Sequence, residues 1–197
     1  MLGSRYQNYF QALNATSGAT VWRVETDSQF LGQALASDGV VYAVSAKGTI
    51  YAFDEAKGST RWTYESDIGA DEHPVIHDGI LYVRGMSGHR TTSSKTITES
   101  SITALDARSG ELIWSAHDNG LGMSKVAATE GIVYSAAAYG YGSIYMYDAD
   151  HGWFAGVVPL KDSVAWPPAV CDGILFLATN QGKVYALETR APNALLT

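Results

Sequence analysis

A chain of 197 residues with 46% apolar and 17% charged residues is long enough to bury a core and too apolar to stay disordered. Its formal charge of −7, with Lys and Arg scattered singly, excludes the clustered cations that a nucleic-acid site requires. A single cysteine, Cys171, excludes a disulfide framework and a cysteine-rich zinc site, and it reads as a small buried hydrophobe.

No stretch reaches the ~18–20 apolar residues of a membrane helix. Residues 1–9 lack the apolar core of a signal peptide. The expectation is a cytoplasmic protein, or a piece of an exported chain whose signal lies elsewhere.

The first recognisable elements are two strands over about Tyr9–Glu25, enclosing Ala12-Leu-Asn-Ala-Thr-Ser-Gly18-Ala-Thr-Val-Trp22. The pattern A-x-[D/N]-x-x-x-G-x-x-x-W returns as Ala52, Asp54, Gly58 and Trp62, and again as Ala104, Asp106, Gly110 and Trp114. A fourth copy carries Met146, Asp148 and Gly152 but ends in Gly156 where the others have Trp. A fifth opens at Ala186-Leu-Glu188 and dissolves at Pro192. Copies starting at 12, 52, 104, 146 and 186 are 40, 52, 42 and 40 residues apart, a fixed-period signature.

Between the copies stand Asp38-Gly39-Val-Val-Tyr42, Asp78-Gly79-Ile-Leu-Tyr82, Glu130-Gly131-Ile-Val-Tyr134 and Asp172-Gly173-Ile-Leu-Phe176. Each of these glycines lies 17 residues beyond the last position of the preceding motif (22 to 39, 62 to 79, 114 to 131, 156 to 173). All length variation is thereby confined to one connection per repeat. In the second copy the pattern predicts strands at Gln33–Ser37, Val40–Val44, Thr49–Asp54 and Ser59–Tyr64, with Asp38-Gly39, Lys47-Gly48 and Lys57-Gly58 turning the chain between them. Four antiparallel strands in ~40–45 residues make a propeller blade. Helical repeats of that length fail, because no 3.6-residue apolar period is present and glycine interrupts too often.

The expected fold is therefore all-β: a β-propeller of four-stranded antiparallel blades with about four to five repeats, a partial or half propeller spanning 1–190 with a tail at 191–197. Within the motif, glycine supplies a left-handed turn, and the Asp or Asn caps that turn's amides. Alanine lets sheets approach, and Trp offers a flat surface to the next blade. Ala12, Gly18, Trp22, Ala52, Asp54, Gly58, Trp62, Ala104, Asp106, Gly110, Trp114, Asp148 and Gly152 are accordingly structural docking positions.

These eleven-residue segments resemble the tryptophan-docking motif of pyrroloquinoline-quinone (PQQ) propellers, and the resemblance covers about residues 7–190. That family includes quinoprotein alcohol and glucose dehydrogenases, a lipoprotein of bacterial outer-membrane assembly, and sensor or kinase-linked domains. Its dehydrogenases carry a vicinal cysteine pair over the quinone and a calcium cluster of Glu, Asn and Asp, neither of which has a matching motif here. The resemblance thus implies a non-catalytic binding scaffold with no PQQ, no metal and no catalytic residue of its own. The alternatives are a portion of a quinoprotein oxidoreductase or an envelope assembly scaffold, extracytoplasmic if part of a longer exported chain. Rings of this family close with seven or eight blades, which implies a fragment of a larger ring, two chains pairing into one, or closure as a four-bladed ring. An unclosed arc exposes apolar faces and free edges, so a protein partner or self-association is expected.

Loops from second to third strand and from one blade to the next share one face, and the length variation falls there. The largest insertion, Met86–Ser100, includes His89 and Arg90 and reads as a polar hairpin or a partner-contacting loop. A smaller one is Tyr139-Gly-Tyr-Gly142. Ten residues beyond each motif lie Gly32, Glu72, Ser124 and Trp166, followed by Gln33, His73, Lys125 and Pro167, at the expected mouth of the central channel. The candidate binding face is Glu72, His73, His89, Arg90, Lys125 and Trp166. The histidines show no metal-ligand spacing, and the sequon at Asn14 falls inside a docking motif.

Overall fold

The computed structural model describes residues 2–3, 8–66, 73–92, 95–118, 125–137, 142–164 and 166–189, with backbone alone at 2–3, 86–92, 95–99, 118 and 125. Every regular element among them is a strand. Three flanking strands, β1 (Leu2–Gly3), β2 (Tyr9–Leu13) and β3 (Thr20–Glu25), form the first sheet. The second holds β4 (Leu35–Ser37), β5 (Val40–Val44), β6 (Thr49–Asp54) and β7 (Thr60–Glu65) in chain order. The third holds β8 (Val75–His77), β9 (Ile80–Thr92), β10 (Lys95–Asp106) and β11 (Leu112–Asp118), and the fourth holds β12 (Lys125–Thr129), β13 (Ile132–Ala136), β14 (Ser143–Asp148) and β15 (Phe154–Pro159). A last sheet contains β16 (Ala169–Cys171), β17 (Ile174–Ala178) and β18 (Val184–Glu188). Every pairing within these sheets is antiparallel and joins chain neighbours, the order of a propeller blade.

The Asp-Gly turns need left-handed backbone at both residues: Asp38, Asp78 and Asp172 have φ of 47–50°, and the glycines after them 72–74°. One expectation changes: the first sheet has a third strand, β1, where two were expected. The Met86–Ser100 insertion is a hairpin, in which β9 and β10 keep pairing as far as Thr92 opposite Lys95.

The strands of the three middle sheets are apolar on both sides because each of those sheets lies between two others. Val40, Tyr42 and Val44 of β5 face Leu81, Val83 and Leu105 of the third sheet. Val41 and Ala43, pointing the other way, meet Phe10, Ala12 and Trp22 of the first. The third sheet's Tyr82, Ile102 and Ala104 pack on Val126, Val133 and Tyr147 of the fourth, and that sheet's Ile132, Tyr134 and Ile144 pack on Leu175 and Leu177 of the last. Burial of both faces accounts for strands such as Val-Val-Tyr-Ala-Val, in which every residue is buried.

Candidate functional site

The three docking motifs that end in tryptophan each build a joint to the following sheet. Ala12, Ala52 and Ala104 stand directly opposite Trp22, Trp62 and Trp114, and the pairing slips by one residue immediately afterwards. This bulge bends the outer strand and aims the indole at the next sheet. Trp22 lies across Gly58, where a Cβ would come within 2.5 Å of the ring; Trp62 covers Gly110 (2.6 Å) and Trp114 covers Gly152 (2.5 Å). These glycines are required twice over, because φ is 72–77° at all three.

The indole N–H groups end on main-chain carbonyls three residues into the next motif. Trp22 donates to Glu55 O at 2.8 Å, Trp62 to Ala107 O at 3.1 Å and Trp114 to Ala149 O at 2.7 Å. Two of these carbonyls also accept a buried tyrosine hydroxyl: Tyr42 reaches Ala107 O at 3.0 Å and Tyr82 reaches Ala149 O at 3.5 Å. Burial pushes the Tyr82 phenol up to about 12, with nearby aspartates adding to it.

The acid or amide at the third motif position closes the turn. Asn14, Asp54, Asp106 and Asp148 each accept from the two amides two and three residues on. The Ser109 amide and hydroxyl hold the Asp106 carboxyl below its ordinary value, and the Arg61 guanidinium, 2.9 Å away, does the same for Asp54. Asp148, Asp150 and His151 come close enough to surround an ion. The shared turn geometry accounts for that grouping without one.

A second joint was not read from the sequence. Asp27, on the connection from β3 to β4, accepts from Thr49 Oγ1 at 2.8 Å and Tyr51 Oη at 2.9 Å in β6. Asp162, on the connection from β15 to β16, accepts from Lys183 Nζ at 2.7 Å and Tyr185 Oη at 3.1 Å. Burial alone would raise the Asp27 carboxyl, but the Thr49, Tyr51 and Ser45 hydroxyls together with Lys47 bring it below its ordinary value. Lys183 foremost, then Tyr185, lowers that of Asp162. The signal was present: an aspartate ends or follows each outer strand at 27, 67, 118 and 162, and the residue before each motif after the first is Tyr51, Thr103, Tyr145 or Tyr185.

The candidate binding-face residues that the structure describes share one end of the sheets and do not line one cavity. Glu72 lies outside the described residues. His73 precedes β8 and is half-buried; Lys125 opens β12; Trp166 stands 67% exposed ahead of β16. His89 and Arg90 belong to the backbone of the β9–β10 hairpin, Arg90 opposite Ile97. At the foot of that hairpin Arg84 is wholly buried, a charged residue the sequence reading passed over. Among the described residues, a groove of about 670 Å³ lies at the opposite end, by the tight turns, lined by His77, Thr129, Glu130, Cys171 and Asp172. Cys171 is exposed there, which corrects its reading as a buried hydrophobe. It sits where β16 ends, and only neighbouring apolar sheet faces bury residues in this fold.

The sequence holds one cysteine, and Asp148, in the group it forms with Asp150 and His151, accepts the turn amides.

Comparison with known proteins bears on the family. The profile of a family described as outer membrane protein assembly factor BamB matches residues 4–95 and 98–193. The BamB protein of Yersinia pestis is 28% identical over 108 residues, which are 52% of this chain and 24% of that protein. Serine/threonine-protein kinase AfsK of Streptomyces griseus is 32% identical over 166 residues, 78% of this chain and 19% of the kinase. The quinoprotein ethanol dehydrogenase of Pseudomonas aeruginosa is 26% identical over 98 residues, 49% of this chain and 15% of the enzyme. This chain therefore spans about a quarter or less of each of these three relatives.

Among solved structures, the quinohemoprotein alcohol dehydrogenase ADHIIG of Pseudomonas putida HK5 superposes with a TM-score of 0.64 at 15% identity, covering 90% of this chain and 37% of the enzyme. The computationally designed Ika4 protein gives 0.63 at 18% identity, covering 83% of this chain and 93% of the design. At these identities the likeness speaks for the fold alone. With sheets, joints and profile in agreement, the chain belongs to the PQQ-type β-propeller repeat family described as outer membrane protein assembly factor BamB.

Proposed function

We propose that the chain is a non-catalytic scaffold that binds a protein partner at the sheet ends carrying the β9–β10 hairpin. The observation that carries this reading is the contrast in strand length. β9 and β10 run 13 and 12 residues, against 5 and 6 in β5 and β6, so one hairpin stands well beyond a set of otherwise uniform sheets. Long elements on a rigid scaffold are where recognition concentrates, and a hairpin offers edge backbone as well as side chains. Exposed Trp166 near the same end suits a protein interface, in which Trp is enriched.

Relatives named for outer-membrane protein assembly favour a role in the bacterial envelope, which places the partner and this chain outside the cytoplasm in this reading. No helix among the described residues is long and apolar enough to cross a membrane. The test replaces residues 86–100 with the short turn of the second sheet in the full-length gene product, and measures binding to its isolated partner by calorimetry. At least a tenfold loss is expected, and unchanged affinity overturns the assignment. Adding PQQ and calcium to the same product is expected to give no binding and no dye reduction; either result would make it part of a quinoprotein oxidoreductase.

A further inference from the structure

The interface between the fourth and last sheets lacks the device that joins the others. Where Ala12, Ala52 and Ala104 face a tryptophan, Met146 faces Gly156. Methionine restores part of the missing bulk, in one apolar cluster with Leu175 and Leu177. A cavity of about 120 Å³ remains, lined by Tyr134, Ile144, Met146, Val158, Leu175 and Leu187, with exposed Glu188 at its edge.

The polar groups that the tryptophan joint uses are still present. Thr189 occupies the place of Glu55, Ala107 and Ala149: its N–H donates to Gly173 O, as theirs do to Gly39, Gly79 and Gly131 O. The Thr189 carbonyl is thus the counterpart of those that accept an indole N–H, and no side chain among the described residues donates to it. Tyr134, the counterpart of Tyr42 and Tyr82, is 3% exposed; its hydroxyl has Thr129 as polar neighbour and makes no bond to the Thr189 carbonyl. Thr129, its neighbour, turns its hydroxyl to the Glu130 and Ile132 carbonyls. A carbonyl left without a donor is costly, and a ligand N–H that pairs with Thr189 O gains part of that energy.

We propose that this cavity is a binding site for a small, flat heteroaromatic of the indole class. Its ring would lie against Met146, Ile144 and Leu175 where the missing tryptophan side chain would have been, a methionine sulfur being a favourable aromatic neighbour. Its N–H would donate to Thr189 O. Apolar cavities of roughly 150 Å³ take up single aromatic rings, and Glu188 at the edge of this one is exposed. The same chemistry has two sources, a free small molecule or a tryptophan side chain presented by a partner. Residues 190–197 contain no aromatic residue that could serve.

The experiment titrates the whole chain with indole, naphthalene and N-acetyltryptophanamide, followed by thermal shift and by amide chemical shifts. Indole is expected to raise Tm, to perturb the amides of Ile144, Leu175 and Leu187 first, and to bind at least fivefold more tightly than naphthalene, which has no N–H. Tighter binding of N-acetyltryptophanamide than of indole identifies a presented side chain; the reverse identifies a free ligand. Leu187→Phe, which fills the cavity, should weaken indole at least tenfold. So should the pair Met146→Ala and Gly156→Trp, in which removing the Met146 methyl clears a contact that a Cβ at 156 would make at 3.1 Å. Absence of indole binding to the unaltered chain, perturbation of amides elsewhere, or indole bound equally by a folded filled variant overturns the proposal.

Discussion

The joint between the second and third sheets and the joint between the fourth and last differ in one cross-strand pair. In the former, Ala52 faces Trp62, whose ring covers Gly110 and whose N–H reaches Ala107 O. In the latter, Met146 faces Gly156, and Tyr134 makes no bond to the carbonyl of the next sheet. The repeat spacing puts the receiving glycine of the last joint at position 192, which is proline, a residue barred from left-handed φ. Tryptophan and receiving glycine are thus present together or absent together. The comparison teaches that the motif is one device split between two sheets: a ring without the glycine would collide, and a glycine without the ring leaves a void.

The largest test of this contrast is Trp62→Ala, expected to cost about 3–5 kcal/mol by denaturant unfolding; a loss under about 1 kcal/mol would break the comparison. Next is Gly110→Ala against Gly18→Ala. Both positions have positive φ, but an added Cβ meets the Trp62 ring at Gly110 and nothing at Gly18. The Gly18 variant should lose only about 1–2 kcal/mol, and the Gly110 variant clearly more. A smaller effect separates Tyr42→Phe, which gives up a hydrogen bond worth about 1 kcal/mol, from Tyr134→Phe, which should change stability little.

The smallest effect concerns the aspartates. The Asp27 and Asp162 carboxyls both titrate below the ordinary value of 3.8 in the folded chain. Their contribution is therefore complete above that pH and lost as pH falls through the lower folded value. Thermal unfolding followed from pH 6 to pH 3 should show a loss on acidification that each Asp→Asn variant blunts. Asp162→Asn should blunt it more, since no tryptophan supports that joint. Equal slopes in the two variants would show that the joints share no load.

How far the sequence carries depends on whether a feature repeats. Sheets, turns and joints were legible because Trp22, Gly58 and their counterparts recur at fixed spacing, and each has one physical reason for being what it is. The hairpin at 86–100 was legible from its flanking strands, but how far its backbone stays paired was not, because Ser- and Thr-rich composition suits a wide loop as well as a long ladder. The Asp27 and Asp162 joints did recur but at uneven offsets from the motif, so a search by fixed spacing missed them. Exposure of Cys171 turns on where β16 ends relative to the neighbouring sheets, which no local pattern records. The cavity at Tyr134 is legible only in retrospect, from Gly156 and Pro192 read as one change.

Because each sheet packs on the ones beside it in the chain, the molecule behaves as a one-dimensional series of coupled units. In such a series, opening begins at the weakest coupling, and the Met146–Gly156 joint is the candidate for it. Local unfolding should therefore release the last sheet while the others hold, so that amide hydrogens of Ile174–Ala178 exchange well before those of Val40–Val44. A substitution of one residue pair would then set not only how stable the chain is but also the order in which it comes apart.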